Sequence, residues 1–338
     1  MKRAMKVLVT GAGGYVGATV VSALLDAGDQ VVGLDDLSRG RRDFLTRIPH
    51  IIGDIADPAV HTELFTEHPD VATVVHCAAR TIVDDSVADP LTYYQVNVAK
   101  TIELLDAMIG HGVRRVVFSS SAAVYGAQPP RVVAETDPVE AASPYAAAKL
   151  MIERVLTDVC TAEPVQAVSL RYFNPVGADP QLRTGRAETD ARDVLTSLLS
   201  AARDGRPFVI NGDDWDTDDG TPLRDFVHVA DVARAHVAAV HLSDSTTGSH
   251  SIINIGSGRA TTVRALADVV AGQLPEPLEV KVGPRRAGDT VGCRADIGLA
   301  AQLLGWRPTA TLDEAVRDAL RWAAQVGDGL GPADEVFG

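Results

Sequence analysis

Cysteine is scarce in this chain, positive charge is in deficit, and long apolar runs are missing; each shortage removes a class of function. The three cysteines, Cys77, Cys160 and Cys293, are scattered. They lack the paired spacing of zinc sites and disulfide frameworks, so no metal site is expected and a reducing compartment is. Against 31 Lys and Arg stand 45 Asp and Glu, a formal net charge of -14, which argues against a nucleic-acid backbone as partner. An anionic small molecule remains open, since a local pair of arginines is enough to hold a phosphate. No apolar run approaches the length of a membrane span. The start, Met1-Lys2-Arg3-Ala4-Met5-Lys6, leads straight into a strand and a glycine loop rather than an apolar leader. The expectation is a soluble, cytoplasmic protein of 338 residues, long enough for two lobes.

What is present begins with a buried-strand pattern, Lys6 to Thr10, followed by Gly11-Ala12-Gly13-Gly14-Tyr15-Val16-Gly17 and an apolar helix to about Ala27. Glycines at 11, 14 and 17 let the backbone turn tightly and approach a pyrophosphate seated on the helix N-terminus. A second strand, Gln30 to Leu34, ends in Asp35, placed to bond the ribose hydroxyls of an adenosine. Its carboxylate would repel a 2′-phosphate, which favours NAD over NADP. Asp36 and Ser38 follow and are counted with the cofactor site, whereas Arg39 and Arg41 read as a solvated loop. Strand-like and helix-like segments then alternate, as a parallel doubly wound α/β sheet requires. Gly53-Asp54-Ile55 follows the third strand, with Asp54 placed to bond an adenine. Val74 to Ala79 is a strand that ends in the small residues Cys77, Ala78 and Ala79, which let a cofactor lie close. His76 within it reads as structural. Asn97 falls in a helix that begins near Leu91 and is assigned to the nicotinamide side.

Arg115 to Phe118 is a further strand, and Ser119, Ser120 and Ser121 form its carboxyl end, where active sites of open α/β sheets lie. Downstream, Ser143-Pro144-Tyr145-Ala146-Ala147-Ala148-Lys149 opens a helix predicted to reach Leu156: Ser143 as N-cap, Pro144 in the first turn. Tyr145 and Lys149 are four apart and share a face. A free tyrosine, with a pKa of about 10, is a poor base near neutrality, but a nearby ammonium lowers that value. With Ser121 sharing a proton, such a trio removes a proton from a sugar hydroxyl while hydride leaves the same carbon.

These residues resemble the extended short-chain dehydrogenase/reductase superfamily and, within it, the UDP-hexose 4-epimerases. The matching strings are Gly11 to Gly17, Ser119-Ser-Ser-Ala-Ala-Val-Tyr-Gly126, Ser143-Pro-Tyr145 with Lys149, and Leu170-Arg-Tyr-Phe-Asn-Pro-Val-Gly177. Further on come Asp218 to Val229 and Pro284-Arg-Arg-Ala-Gly-Asp289. The resemblance implies a tightly held NAD, a Rossmann sheet with a smaller C-terminal α/β lobe, and a UDP-sugar substrate of the glucose/galactose pair. Tyr145 would take the proton from the 4-hydroxyl while C4 passes hydride to the nicotinamide. Ser121 would bond the 4-oxygen, and Lys149 would lower the tyrosine pKa and hold the nicotinamide ribose. Tyr172 and Phe173 would line the nicotinamide side. Asn174, Arg224 and Arg286 would hold the diphosphate, and Asp289 the uridine ribose. A homodimer through paired helices of the large lobe is implied as well. The division expected is 1–176 with a return segment near 222–248 for the cofactor, and 177–221 with 249–330 for the sugar nucleotide. Ile252 to Gly256 and Leu304 to Pro308 are assigned to the smaller lobe, and the last dozen residues are expected to be disordered.

Rival chemistries of the same fold need acids after the strand-end serine. Dehydratases carry an Asp-Glu pair there and decarboxylases a glutamate, whereas this chain has Ala122 and Ala123, which transfer no protons. A non-catalytic sensor of NAD would lack the Tyr145 and Lys149 pair. The aspartate-rich run from Asn211 to Gly220 lacks the order of a calcium loop and reads as a solvated acidic loop. His236 and His241, on a helix from Val229 to Leu242, read as structural, and Trp306 as packing. Ala146 and Ala148 replace a glycine and a serine usual in the family, and Asp190 to Thr196 replaces its Asn-Asn-Leu string. Cys293 stands where a residue gates sugar size. A small side chain there implies activity on UDP-N-acetylglucosamine, so a 4-epimerase of that sugar or of UDP-glucuronate is the alternative.

Overall fold

A computed structural model describes residues 4–126, 131–186, 193–242, 248–285 and 290–329. Seven parallel strands form the central sheet. In spatial order they are His250–Ile255, Gln166–Tyr172, Arg115–Ser121, Thr73–His76, Lys6–Thr10, Gln30–Asp35 and His50–Ile52. The strand order reverses between Lys6–Thr10 and Thr73–His76, and the carboxyl ends at that reversal open the crevice where such sheets bind ligands. The sheet is covered on both faces, which is why strands such as Val7-Leu8-Val9 are continuously apolar and fully buried. One face packs on the helices Tyr15–Asp26 and Val229–Val240. The other packs on Pro58–Glu67, Lys100–Gly110 and Pro144–Ala162.

The helix Pro144–Ala162 starts as predicted: Ser143 caps it by accepting from the Ala146 amide at 3.2 Å. It continues six residues beyond the expected Leu156, because Ile152, Leu156 and Cys160 keep burying the same apolar face. Ala146 and Ala148 are buried in its packing. A third core, containing Leu198, Ile210, Leu266 and Val316, belongs to the smaller lobe.

Two assignments are corrected. His250–Ile255 is the seventh strand of the large sheet, with Ile253 paired to Leu170 and Ile255 to Tyr172. Its apolar residues Ile253 and Ile255 lie in the large-lobe core, a burial that the smaller lobe does not offer. Trp306 lies in that same core and donates its indole N–H to Asp231 O at 2.9 Å, so residues 304–308 close the large lobe rather than the smaller. The helix Leu312–Gly329 then packs on the smaller lobe through Leu312, Ala315, Val316 and Ala319. Asn97 stands not in a plain α-helix but in a π-helical turn, Gln95–Ala99, between Pro90–Tyr94 and Lys100–Gly110. The last dozen residues lie largely outside the described residues. Among the described residues no helix is long and apolar enough to cross a membrane.

Beneath the strand ends, Glu153 and Arg171 form a buried ion pair at 2.6 Å, both side chains 4% exposed. Ser120 Oγ donates to Glu153 at 2.6 Å, and Arg171 reaches the Tyr125 hydroxyl at 3.1 Å. Removing one partner strands a buried charge. Arg171→Met is therefore expected to lower unfolding free energy by about 3–5 kcal/mol, read from denaturant midpoints. The double variant Glu153→Met/Arg171→Met should regain most of that loss, and a double variant as unstable as the single one would contradict the account.

Candidate active site

The first turn of the helix Tyr15–Asp26 begins at Gly14 with no side-chain cap and no acid, so its backbone amides have no side-chain acceptor of their own. Gly11 has φ of 67°, and a Cβ there would meet Ala78 N at 2.7 Å; a Cβ on Gly17 would strike Gly11 O at 2.0 Å. The loop therefore closes onto its helix and onto the Cys77–Ala79 strand end only with glycine. Asp35, 6% exposed, accepts from Gly13 N and Leu37 N, each at 2.8 Å. Burial pushes its carboxyl pKa up and the two amides pull it back. An uncapped helix start, a glycine-lined approach and a carboxylate at the second strand end together fit a dinucleotide.

Around that frame the predicted residues are already engaged. Asp36 holds the amide and hydroxyl of Ser38 at 2.9 and 2.6 Å. Arg39 faces Asp85 at 3.6 Å, and Arg41 forks onto Asp43. Asp54 accepts from Lys100 and from Ala56 N, while Ile55 is buried with its carbonyl bonded to the His61 ring. Asn97 clamps Arg80 by both its backbone amide and its carbonyl, each at 2.8 Å. That clamp fixes the loop after Ala79. His76 bonds Thr10 and Thr101, and burial holds its pKa down to about 3, in keeping with a structural role.

The Tyr145, Lys149 and Ser121 side chains converge at the carboxyl ends of the sheet. Tyr145 is 7% exposed and hydrogen-bonded to the Ser121 hydroxyl. Ser121 Oγ also accepts from Ala123 N at 3.2 Å. Lys149, 4% exposed, donates to Ser119 O at 2.7 Å and lies 5.8 Å from the Tyr145 ring centroid. The expected lowering of the tyrosine pKa is absent here. Burial pushes the Tyr145 phenol up, the Ser121 hydrogen bond offsets part of that, and Tyr93 adds a further upward push. The lysine points to a carbonyl rather than to the phenol, and burial brings its own pKa down to about 8.

A second layer went unread in the sequence. His236, fully buried, donates from Nδ1 to Val232 O at 2.9 Å, which leaves Nε2 to accept from Ser119 Oγ at 3.1 Å. Its pKa is held down to about 4 by burial, so it is neutral. Ser119 also contacts Cys77 Sγ at 3.2 Å and the Tyr172 hydroxyl. Cys77 and His236 lie 42 and 117 residues from Ser119 in sequence, and no local pattern links them.

On the smaller-lobe side, Asn174 Nδ2 donates to Asp225 O at 3.1 Å, and Arg224 Nη1 to Leu223 O and Thr290 O. Asp225, next to Arg224 and not singled out, is a buried latch. It accepts from Ser257 N and Oγ, each at 2.6 Å, and from Gly258 N and Ala295 N, each at 3.0 Å. Through Ala295 it holds the short strand Arg294–Ala295 that follows Cys293, and Cys293 packs on the apolar cluster that contains Val124, Tyr125 and Phe173. Phe173 is buried and stacked with Tyr125. Arg286 and Asp289 lie outside the described residues, as do 190–192 of the divergent string; Asp193 caps the helix Val194–Arg203. In the acidic run, Asp214 pairs with Arg285, Asp216 with Arg131, and Asp219 bonds Thr221 and Thr262.

The sequence pattern of the NAD dependent epimerase/dehydratase family matches residues 7–256. The chain is 40% identical to the UDP-glucose 4-epimerase of Azospirillum brasilense, over 97% of this chain and 94% of that one. It is 38% identical to the UDP-glucose 4-epimerase of Halalkalibacterium halodurans, over 94% and 95%. Its structure superposes with a TM-score of 0.92 on UDP-glucose-4-epimerase from Stenotrophomonas maltophila, crystallised with NAD and formylated UDP-arabinopyranose, at 33% identity over 96% of this chain and all of that one. A full-length match of this depth, on a glycine loop and a Tyr145–Ser121–Lys149 site assembled as above, places the chain in the NAD dependent epimerase/dehydratase family.

Proposed function

We propose that the protein interconverts UDP-glucose and UDP-galactose by reversible epimerisation at C4, using a retained NAD. The observation that carries this is the Tyr145–Ser121 hydrogen bond beside Lys149 at the carboxyl ends of the sheet. The alanines at 122 and 123, which supply no acid for elimination at the two positions after the strand-end serine, support it. Gly11, Gly14, Tyr15, Val16, Gly17 and Asp35 hold the dinucleotide, and the acid pairing of Arg39 and Arg41 supports NAD rather than its phosphorylated form. When bound, NAD supplies hydride acceptance and return, together with a positive charge that favours the Tyr145 phenolate. Tyr145 takes the proton from the 4-hydroxyl and gives it back, Ser121 bonds the 4-oxygen, and Lys149 holds the ribose side. Asn174, Arg224 and Arg286 grip the diphosphate, and Asp289 the uridine ribose. A lobe division at 1–176 with a return segment near 222–248, extended by the strand 250–255 and by residues 304–308, against the remainder belongs to this reading, as does a cytoplasmic setting, which the three unpaired cysteines support. So does a homodimer. Val87, Leu91 and Met151, 64, 73 and 46% exposed, stand on packed neighbouring helices and would be covered by a second copy.

The test is to incubate the purified protein with UDP-galactose, without added cofactor, and follow the anomeric proton signals. UDP-glucose should appear, and Tyr145→Phe should slow its appearance by about 10²- to 10⁴-fold while NAD stays bound. Full activity in that variant, or no conversion even with added NAD, would sink the reading.

Lysine burial gives a second expectation. A pKa moved from 10.5 down to about 8 corresponds to roughly 3 kcal/mol of native-state cost at neutral pH. The folded value lies below the unfolded one, so below pH 8 the ammonium is charged in both states and the cost is complete. As pH rises from about 8 towards 10.5 the native state releases its proton first, and stability is regained. Lys149→Met should therefore be inactive yet more heat-stable than the parent at pH 7, with the difference shrinking towards pH 10. A less stable variant at pH 7 would refute this.

Cys293 generates the specificity prediction. Replacement by a bulky tyrosine is expected to reduce turnover of UDP-N-acetylglucosamine relative to UDP-glucose by about 10-fold or more. An unchanged ratio would remove the gating role.

A further inference from the structure

The segment 177–186 runs along the outer side of the first helix of the dinucleotide half and is anchored at both ends of it. At the glycine-loop end, the Tyr15 hydroxyl donates to Gly177 O at 2.7 Å, and the Arg186 guanidinium lies 4.6 Å over the Tyr15 ring. One turn on, Thr19 Oγ1 donates to Tyr15 O at 2.8 Å and meets Thr184 Oγ1 at 3.1 Å. At the far end, Arg183 forks onto Asp26 at 2.7 and 2.8 Å and also holds Asp179. The segment is folded on itself by Asp179 N to Thr184 O at 2.9 Å.

A third party presses the segment down. Trp322, on the helix Leu312–Gly329, donates its indole N–H to Arg186 O at 2.8 Å. Its ring lies so close to Gly185 that a Cβ there would come within 2.5 Å, and it also packs on Phe44 beyond the second strand. Gln325 of the same helix reaches Leu182 O at 3.3 Å. A helix beyond the family-matched residues 7–256 thus reaches back to the helix whose first turn offers the diphosphate its amides.

We propose that residues 177–186, clamped by Trp322, form a clasp that keeps NAD in place between turnovers. The inference rests on the assignment of NAD and not on which sugar is turned over. A reaction that takes hydride and returns it to the same molecule never needs to exchange its cofactor. Slow dissociation is then an asset. Tyr15 belongs to the first turn of that helix, and both its hydroxyl and its ring face are engaged by the clasp. The turn therefore cannot move away from the diphosphate site unless the clasp lifts, and the clasp cannot lift while Trp322 holds Gly185 and Arg186.

The test compares NAD content per chain, and the rate of NAD loss into a scavenging dehydrogenase, for the parent, Trp322→Ala, Trp322→Phe and Thr184→Val. No sugar is added, so the outcome is independent of the epimerase assignment. Trp322→Ala should lose NAD about 10-fold faster or more and be purified partly cofactor-free, while kcat at saturating added NAD stays near the parental value. Trp322→Phe keeps a ring against Gly185 but not the N–H donor, and should fall between, by about 5-fold for one hydrogen bond. Thr184→Val should move in the same direction. Parental dissociation rates in Trp322→Phe and Thr184→Val would overturn the proposal, whether or not Trp322→Ala folds. So would NAD loss that merely tracks the unfolded fraction measured by circular dichroism in the same samples.

Discussion

A polar stripe on one helix organises this molecule. Tyr145, Lys149, Glu153 and Thr157 recur every four residues on the helix Pro144–Ala162; the first three are buried against the sheet, and Thr157 at the end of the stripe is exposed. Three of them meet the carboxyl end of one strand, Tyr145 at Ser121, Lys149 at Ser119 O and Glu153 at Ser120, while Glu153 also pairs with Arg171 on the next strand and Thr157 with His250 on the one beyond. Buried polar groups without partners cost several kcal/mol, so this stripe accepts one rotation and one height of the helix over the sheet. The Tyr145–Ser121 pair at the top is positioned by the satisfied pairs below it.

That arrangement explains how a lysine comes to be buried with only a carbonyl oxygen in hydrogen-bond contact. Glu153 lies one turn away, but its two oxygens are taken by Arg171 and Ser120. Lys149 is therefore left partly uncompensated, which brings its pKa to about 8. Strain of this kind is kept at functional sites because the surroundings over-determine it. The Tyr145 phenol shows the complementary half. Burial raises its pKa, and the Ser121 hydrogen bond offsets part of that rise.

Much of the cofactor half was legible because its signals are local. The glycine loop, the Asp35 strand end, the Ser143 cap and the four-residue spacing of Tyr145 and Lys149 each lie within one element, where backbone geometry and periodicity speak directly. What was not legible depends on distant segments. The strand His250–Ile255 looks like any short apolar strand, and only the pairing of Ile253 with Leu170 and of Ile255 with Tyr172 reveals its sheet. Trp306 and Trp322 carry the same local signature, an aromatic near a helix, yet one is core of the large lobe and the other presses on a glycine 137 residues away. Asp225 sat inside a recognised string but drew no attention, because its work is to hold four backbone and hydroxyl donors from two remote loops. The lysine–tyrosine interaction was misjudged for a related reason: spacing puts two residues on one face, but only the carbonyl of Ser119 decides where the ammonium points.

Besides the apolar cluster of Ala18 and Phe44 with Trp322, the two halves of the molecule are joined by carboxylates that bind backbone. Asp225 ties the strand that bears Arg224 to the loop at Ser257 and to Ala295 beside Cys293. Asp231 holds Thr309 N and Ala310 N at 2.9 and 3.0 Å, just before the C-terminal helix starts. Apolar interfaces slide at little cost, whereas a carboxylate with several directed donors tolerates only small displacements. Asp225 and Asp231 are themselves buried, so these latches hold the neighbouring loops from within the protein rather than from its surface.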